Sequence, residues 1–230
     1  MKFLKHLKDN WFRYGFESLA IVVGILAAFA LESWNDQRKT RIAADVYAQK
    51  IISDIVADTI KINRLIDNCM IIQESIDAYF QLFDQGNTPL SDLIDSAENI
   101  SISLFRYLPI NHTFLDMQSS GNTVLLNDEQ RISLMELSNN QEFLQIIIDK
   151  VIDEIKKEEF ERNKYLDFDQ SPGDFFETIS VQQDISSKAQ GLKHQHNLLT
   201  KNNELAYQMI SKGASIKEKS KRCLELLSDP

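Results

Sequence analysis

Hydrophobic and polar positions along this chain fall into two patterns, an unbroken apolar block and long stretches of helical spacing. From residue 19 to residue 31 the sequence reads LAIVVGILAAFAL, thirteen positions without a polar side chain. Alone these would rise only about 20 Å, short of a hydrocarbon core. Aromatic flanks extend the block: Trp11, Phe12, Tyr14 and Phe16 precede it and Trp34 follows it. Such residues favour the membrane–water boundary, so residues 16–34 are predicted to be a transmembrane helix, with Glu17 and Glu32 near its two ends. The leader, residues 1–15, is basic and aromatic. The residues that follow Trp34, NDQRKTR, contain no helix breaker. The membrane helix is therefore expected to run straight on.

Residues 42–83 contain neither Gly nor Pro. Ala48, Ile52, Ile55, Thr59, Ile62, Ile66, Cys69, Ile72, Ile76, Phe80 and Phe83 recur at steps of three and four, the spacing of one helix face. Asp45, Asp54, Asp58, Asp67 and Asp77 are expected mostly elsewhere on the circumference. A core-facing bundle or coiled-coil helix over about 42–84 results, stopped by Gly86 and Pro89. A short helix is predicted over 90–97. Residues 100–107 alternate like a strand but stand alone, so extended chain or helix is expected there in preference to a sheet. A short helix over 111–120 closes at Gly121-Asn122, and Asn127-Asp128 reads as an N-cap for a helix over 129–138. A long helix follows over 141–168, with a stripe that includes Phe143, Leu144, Ile147, Ile148 and Val151. A break at 169–174 leads to a short helix over 175–185. The last long helix spans about 189–227, softened at Gly191 and Gly213. No repeat of 20–50 residues is present. The fold class predicted is all-α: the transmembrane helix continuing into an elongated antiparallel bundle over residues 35–230.

Composition supports helices, since only 7 Gly and 4 Pro occur in 230 residues. The net charge of −9 is uneven. Residues 1–34 carry four basic and three acidic side chains, so the remainder holds a charge of −10. An acidic domain lacks the basic face that nucleic acid requires. Cys69 and Cys223 are too few for a disulfide framework or a four-cysteine zinc site; they allow at most one bridge. Four basic residues before the span, together with the amino terminus, outweigh Arg38, Lys39 and Arg41 after it. The N-terminus is thus expected in the cytoplasm and the domain outside it. Two other readings compete for the span. A cleaved signal peptide would use Ala28-Phe29-Ala30, but its leader would be long and would contain Asp9 and Glu17. A buried core helix would leave the aromatic brackets and the basic leader unexplained.

One face of the span is patterned. At 100° per residue Glu17, Ala20, Gly24, Ala28, Leu31 and Asn35 share a narrow stripe. Ala20, Gly24 and Ala28 form a small-residue ladder that lets two helix backbones approach closely in lipid. A carboxylate at Glu17 on the same stripe favours a protein neighbour over lipid. Self-association or docking against a partner's helix is the expected role.

Glu17, the run Val22-Val23-Gly24-Ile25-Leu26-Ala27-Ala28, Leu31, Trp34-Asn35 and Arg38 together resemble the opening of an uncharacterised bacterial family. Its members are short membrane proteins with a basic leader, a Gly-Glu start, a Gly-Ile-Leu span and a Trp-Asn pair, followed by an acidic helical region. The later segment FLDMQSSGNTVLL, residues 114–126, is similar to that family's Ser-Ser-Gly-Asn segment. Phe16 intervenes here between Gly15 and Glu17, a departure from the family's start. The resemblance covers about 25 residues well, implies a single-span membrane protein of unknown function, and adds no activity.

Chemistry-bearing motifs are absent where they would be conspicuous: no phosphate-cradling glycine loop, no Gly-x-Ser-x-Gly elbow, no His-Glu-x-x-His. His194 and His196 would point about 200° apart on a helix and cannot share a metal; a solvated polar patch is expected. His112, near Arg106, lies in the least regular region and is a candidate pocket residue. Ser119, Ser120, Gly121 and Asn122 form a candidate binding turn, although glycine's tolerance of positive φ also suits a plain helix-ending turn. No catalytic residue, metal or cofactor is expected. The function expected is a membrane-anchored, non-enzymatic domain acting in assembly, with itself or another envelope protein. A ligand-sensing domain outside the cytoplasm is the alternative, and an enzyme site around His112 and Arg106 a third reading.

Overall fold

The computed structural model describes residues 2–100, 102, 104–166 and 185–228, with backbone alone for residues 2–11, 13 and 14. Its elements in order are α1 (Lys2–Asp84), α2 (Leu90–Glu98), α3 (His112–Ser120), a 3₁₀ turn (Asn122–Leu125), α4 (Asp128–Arg162) and α5 (Ile185–Ser228). No strand occurs among the described residues. The protein is all-helical. Residues 104–111 lead into α3 without regular structure, because Pro109 and the short alternating run offer no second strand to pair with.

α1 is one uninterrupted helix of 83 residues. Its apolar part is long and apolar enough to cross a membrane, and none of that stretch is buried. Arg38 lies 5.9 Å from the Trp34 ring centroid, one turn on. Ala43 and Ala44 are the first half-buried side chains and Tyr47 the first bonded to the bundle, through Asp116 and Asn122, so about 12 Å of α1 stands bare beyond Trp34.

Beyond Tyr47, α5 returns antiparallel beside both α1 and α4. Lys219 pairs with Glu136 at 3.2 Å and Lys201 with Glu154 at 2.8 Å, which fixes the direction against α4. Gln73 donates to Asn203 at 3.1 Å, and Gly213 packs on Ile62 and Ile66, which fixes it against α1. The main core joins Ile51, Ile55 and Ile62 to Leu144, Ile148, Ile155, Leu198, Leu205 and Met209.

The core stripe of α1 departs from the predicted one. Ile51, Asp58 and Tyr79 are buried where Ile52, Thr59 and Phe80 were expected. Periodicity alone fixes the stripe only to about one residue, and the crossover chain pulls Asp58 inward by supplying it with donors. α4 is one helix from Asp128, where two had been expected on either side of Asn139-Asn140. Asparagine is a modest helix-former, and both sites continue because the buried positions run through them from Leu137 to Gln141 and Leu144. Asn127 caps α4 as predicted: its side chain accepts from the Gln130 N–H at 2.9 Å, and Gln130 accepts in return at 3.1 Å. α4 closes at Arg162, short of the expected 168. Residues 167–168, the break at 169–174 and the start of the helix over 175–185 lie outside the described residues; Ile185 itself opens α5.

α5 runs unbroken through Gly191 and Gly213, where softening had been expected. Both glycines are contact points. A side chain at Gly191 would collide with Leu166 and Tyr165, and one at Gly213 would press on Ile62, Ile66 and Met209. The absence of a Cβ lets neighbours approach closely without loosening the helix. Cys69 and Cys223 are free and buried. Burial pushes the Cys69 thiol up to about 12, and Cys223 lies 3.1 Å from Ser133 Oγ.

Candidate functional site

Glu17, Ala20, Gly24 and Ala28 sit on one exposed stripe of α1, and nothing lies within 4 Å of where a Gly24 Cβ would be. The direction of that stripe relative to the bundle is informative. At 100° per residue, the positions buried against the bundle (Ile51, Ile55, Asp58, Ile62) project about 140–200° from Glu17. Ala20, Gly24 and Ala28 project within about 60° of Glu17. The small-residue ladder therefore faces away from the bundle. On the opposite side, an open groove of ≈ 780 Å³ is lined by Phe29, Glu32, Asp36, Thr40 and Arg41 of α1 and by Leu125 at the bundle base. That groove is the angle left where α1 departs from the domain.

Of the other candidates, Arg106 is exposed and lies 3.8 Å from Asp149 on α4. His112 is exposed at the start of α3. No hydrogen bond or ion pair joins His112 to Arg106 among the described residues. In the candidate turn, the Ser119 and Ser120 hydroxyls donate to the Asp116 carbonyl, at 3.0 and 2.7 Å. Gly121 has φ +76°, the left-handed conformation that ends α3. The Asn122 amide donates to the Tyr47 hydroxyl at 3.0 Å and to Ser120 Oγ at 2.8 Å. These polar groups are turned onto the chain itself and tie the turn to α1.

The sequence reading missed a buried carboxylate. Asp58 is fully buried, and three donors converge on it: Tyr107 Oη at 2.8 Å, Gln141 Nε2 at 2.7 Å and the Ile110 N–H at 3.0 Å. One turn earlier, Asp54 accepts from the Thr113 N–H at 2.9 Å, capping α3 from another helix. Less than a turn later, Lys61 donates to the Leu108 carbonyl at 2.8 Å. Three side chains of α1 thus clamp the crossover chain. Burial raises the Asp58 carboxyl above its ordinary value of 3.8, against the opposing pull of these hydrogen bonds and Lys61. The crevice beside it, between Ile51, Asp54, Asn111 and Gln141, measures ≈ 10 Å³, about the room of a single water and none for a substrate.

At the far end of the bundle, His196 packs against Tyr79, Phe80 and Phe83, with ring centroids 5.9, 5.2 and 4.4 Å away. Burial holds its pKa below the ordinary 6.5, with Asp84 opposing. A pocket of ≈ 230 Å³ lies beside it, lined by Phe83, Leu90, Ala189, Leu192, Lys193 and Asn197. His194 turns to the other side, bonded to Glu158 at 2.8 Å and stacked on Tyr165. The two histidines diverge as their spacing requires, but each is packed, where a solvated patch had been expected. Among the described residues no three metal-ligating side chains come together. Comparison of the chain with protein-family models, with curated proteins and with solved structures finds no match.

Proposed function

We propose that this protein is a membrane-anchored, non-enzymatic helical domain that assembles, with itself or with another envelope protein, through the outward face of its N-terminal helix. One observation carries the reading: Ala20, Gly24 and Ala28 lie on an exposed face of a helix that continues without interruption into the bundle. Small residues allow the close backbone approach on which helix association in lipid depends. The continuity of α1 would then transmit the pairing geometry of the span to the domain outside it. The basic leader supports an orientation with the N-terminus in the cytoplasm, and the resemblance carried by residues 17–38 points to the same single-span topology.

Cysteines introduced as Gly24→Cys and Ala28→Cys test the assembly. Oxidation of intact membranes yields a dimer or a partner adduct; a monomer at both positions removes the reading. Protease accessibility of residues 40–230 in intact cells tests the orientation, with cleavage expected from outside.

The distal pocket beside His196 favours a second reading, ligand sensing, because its lining is mostly apolar with Lys193 and Asn197 among it. A small molecule carried by the purified protein and lost on Ala189→Trp would support sensing. Its absence leaves assembly alone.

A further inference from the structure

We infer that residues 42–60 of α1 form the seam of a parallel two-stranded coiled coil with a second copy of this chain, an inference that rests on the assembly reading above and names its partner. Burial divides this stretch of helix sharply. Ile51 and Ile55 are 2 and 3 % exposed in the core, whereas Ile42, Val46, Val56 and Ile60 are 53, 48, 43 and 48 % exposed. With Gln49 and Ser53, also exposed, the latter four make steps of four and three: 42, 46, 49, 53, 56, 60. That is a heptad seam, with Val46, Ser53 and Ile60 at one core position and Ile42, Gln49 and Val56 at the other. Four β-branched side chains on the water-facing side of an acidic domain, all in this register, are what a coiled-coil partner buries. Asn63 and Asp67, next in the series, are polar and end it.

The seam is continuous in direction with the ladder in the span. Gly24, Ile42 and Ile60 are spaced by 18 residues, which is five turns of an α-helix, so all three project the same way. Lipid cannot be the occupant here, because Val56 and Ile60 stand about 33 and 39 Å along the helix beyond Trp34. A second copy anchored in the same bilayer arrives parallel and in register, and presents Ile42 to Ile42 and Val46 to Val46. Charge agrees with this arrangement. Asp45 and Lys50, both exposed, flank the seam on its two sides, five residues apart. In a parallel pair that spacing brings Asp45 of each copy to Lys50 of the other, twice by symmetry. Sterics also agree: the bundle lies behind α1, so two bundles point outward from the seam and do not collide.

The test uses the full chain in membranes, with single cysteines Gly24→Cys, Gln49→Cys and Ser53→Cys and a control, Lys150→Cys, on the exposed side of α4. Mild oxidation gives homodimers at the first three positions and none at the control; the buried native thiols give no background. Asp45→Lys reduces the Ser53→Cys dimer several-fold, and adding Lys50→Asp restores it. Crosslinking at Gly24→Cys without Gln49→Cys or Ser53→Cys overturns the seam and leaves membrane assembly standing. An adduct with a different protein overturns the second copy. No crosslink anywhere overturns both readings, and failure of the double charge swap to restore the dimer overturns the parallel register.

Discussion

Asp58 shows how a single polar side chain can organise an apolar interface. Tyr107 Oη, Gln141 Nε2 and the Ile110 N–H all donate to its oxygens, so removing them leaves three donors, the first two buried, without that acceptor. Asp58→Ala is expected to destabilise the fold by about 3 kcal/mol, at about 1–3 kcal/mol for each buried group left unpaired and only partly relieved by relaxation. Asp58→Asn keeps the shape and an acceptor and should cost about 1 kcal/mol. Urea unfolding in detergent measures both. The same pair tests the ionisation. A carboxyl raised in the folded state binds its proton more tightly there than in the unfolded chain. Its penalty is absent below the ordinary 3.8, grows as pH rises through the raised value, and is constant above it. Wild-type stability relative to Asp58→Asn should therefore fall with rising pH across that window; a flat difference would contradict the buried, charge-disfavouring site. Gly191 and Gly213 make a second contrast. Alanine at Gly191 meets the branch point of Leu166 and should cost about 1–3 kcal/mol, while Gly213→Ala meets methyl groups of Ile66, Met209 and Ile62 that need give only slightly and should cost less than about 1 kcal/mol. None of this was legible in the sequence. Asp58 shares a helix face with Ile55 and Ile62, but an aspartate is rarely fully buried unless it is partnered, and the donors that draw it inward, on the crossover and on α4, come from 49 and 83 positions away along the chain.

At the scale of elements the sequence was more informative, because its punctuation is local. The stop at Gly86 and Pro89, the left-handed turn at Gly121 and the Asn127 cap each bound a helix where residue chemistry said they would. What spacing could not decide was whether a polar pair such as Asn139-Asn140 interrupts a helix, since that depends on what the flanking positions bury. The continuity of α1 was legible in the absence of any breaker after Trp34, and it has a consequence that can be measured. Two residues inserted after Gln37 rotate the span against the bundle by about 200°, and seven rotate it by only about 20° in the other direction. Crosslinks at Gly24→Cys and Ser53→Cys should both survive the seven-residue insertion. After the two-residue insertion the Ser53→Cys crosslink should drop severalfold while the Gly24→Cys crosslink persists. Equal yields with both insertions would mean that the connection bends freely and carries no phase.

For the whole molecule, α5 packs against both α1 and α4 and locks the later part of α1 into the bundle, while about 12 Å of the same helix stands bare beyond Trp34. One continuous helix therefore carries its domain on one side and its patterned face on the other. The face was partly legible: Glu17, Ala20, Gly24 and Ala28 follow from helical spacing, but the extension through Ile42, Val46, Val56 and Ile60 did not, because a stripe can be recognised as unpartnered only once the buried stripe is known. The acidic charge of the domain disfavours close approach of two copies in general, which makes a narrow seam with Asp45 and Lys50 in register the geometry that tolerates it. The most direct test of assembly through α1 is the mass of the full chain extracted from the membrane with its surrounding lipid. A particle containing two copies, reduced to one copy by Gly24→Ile together with Val46→Lys and Ile60→Lys, is the result expected. A single copy with no second protein in the unaltered chain would contradict the account.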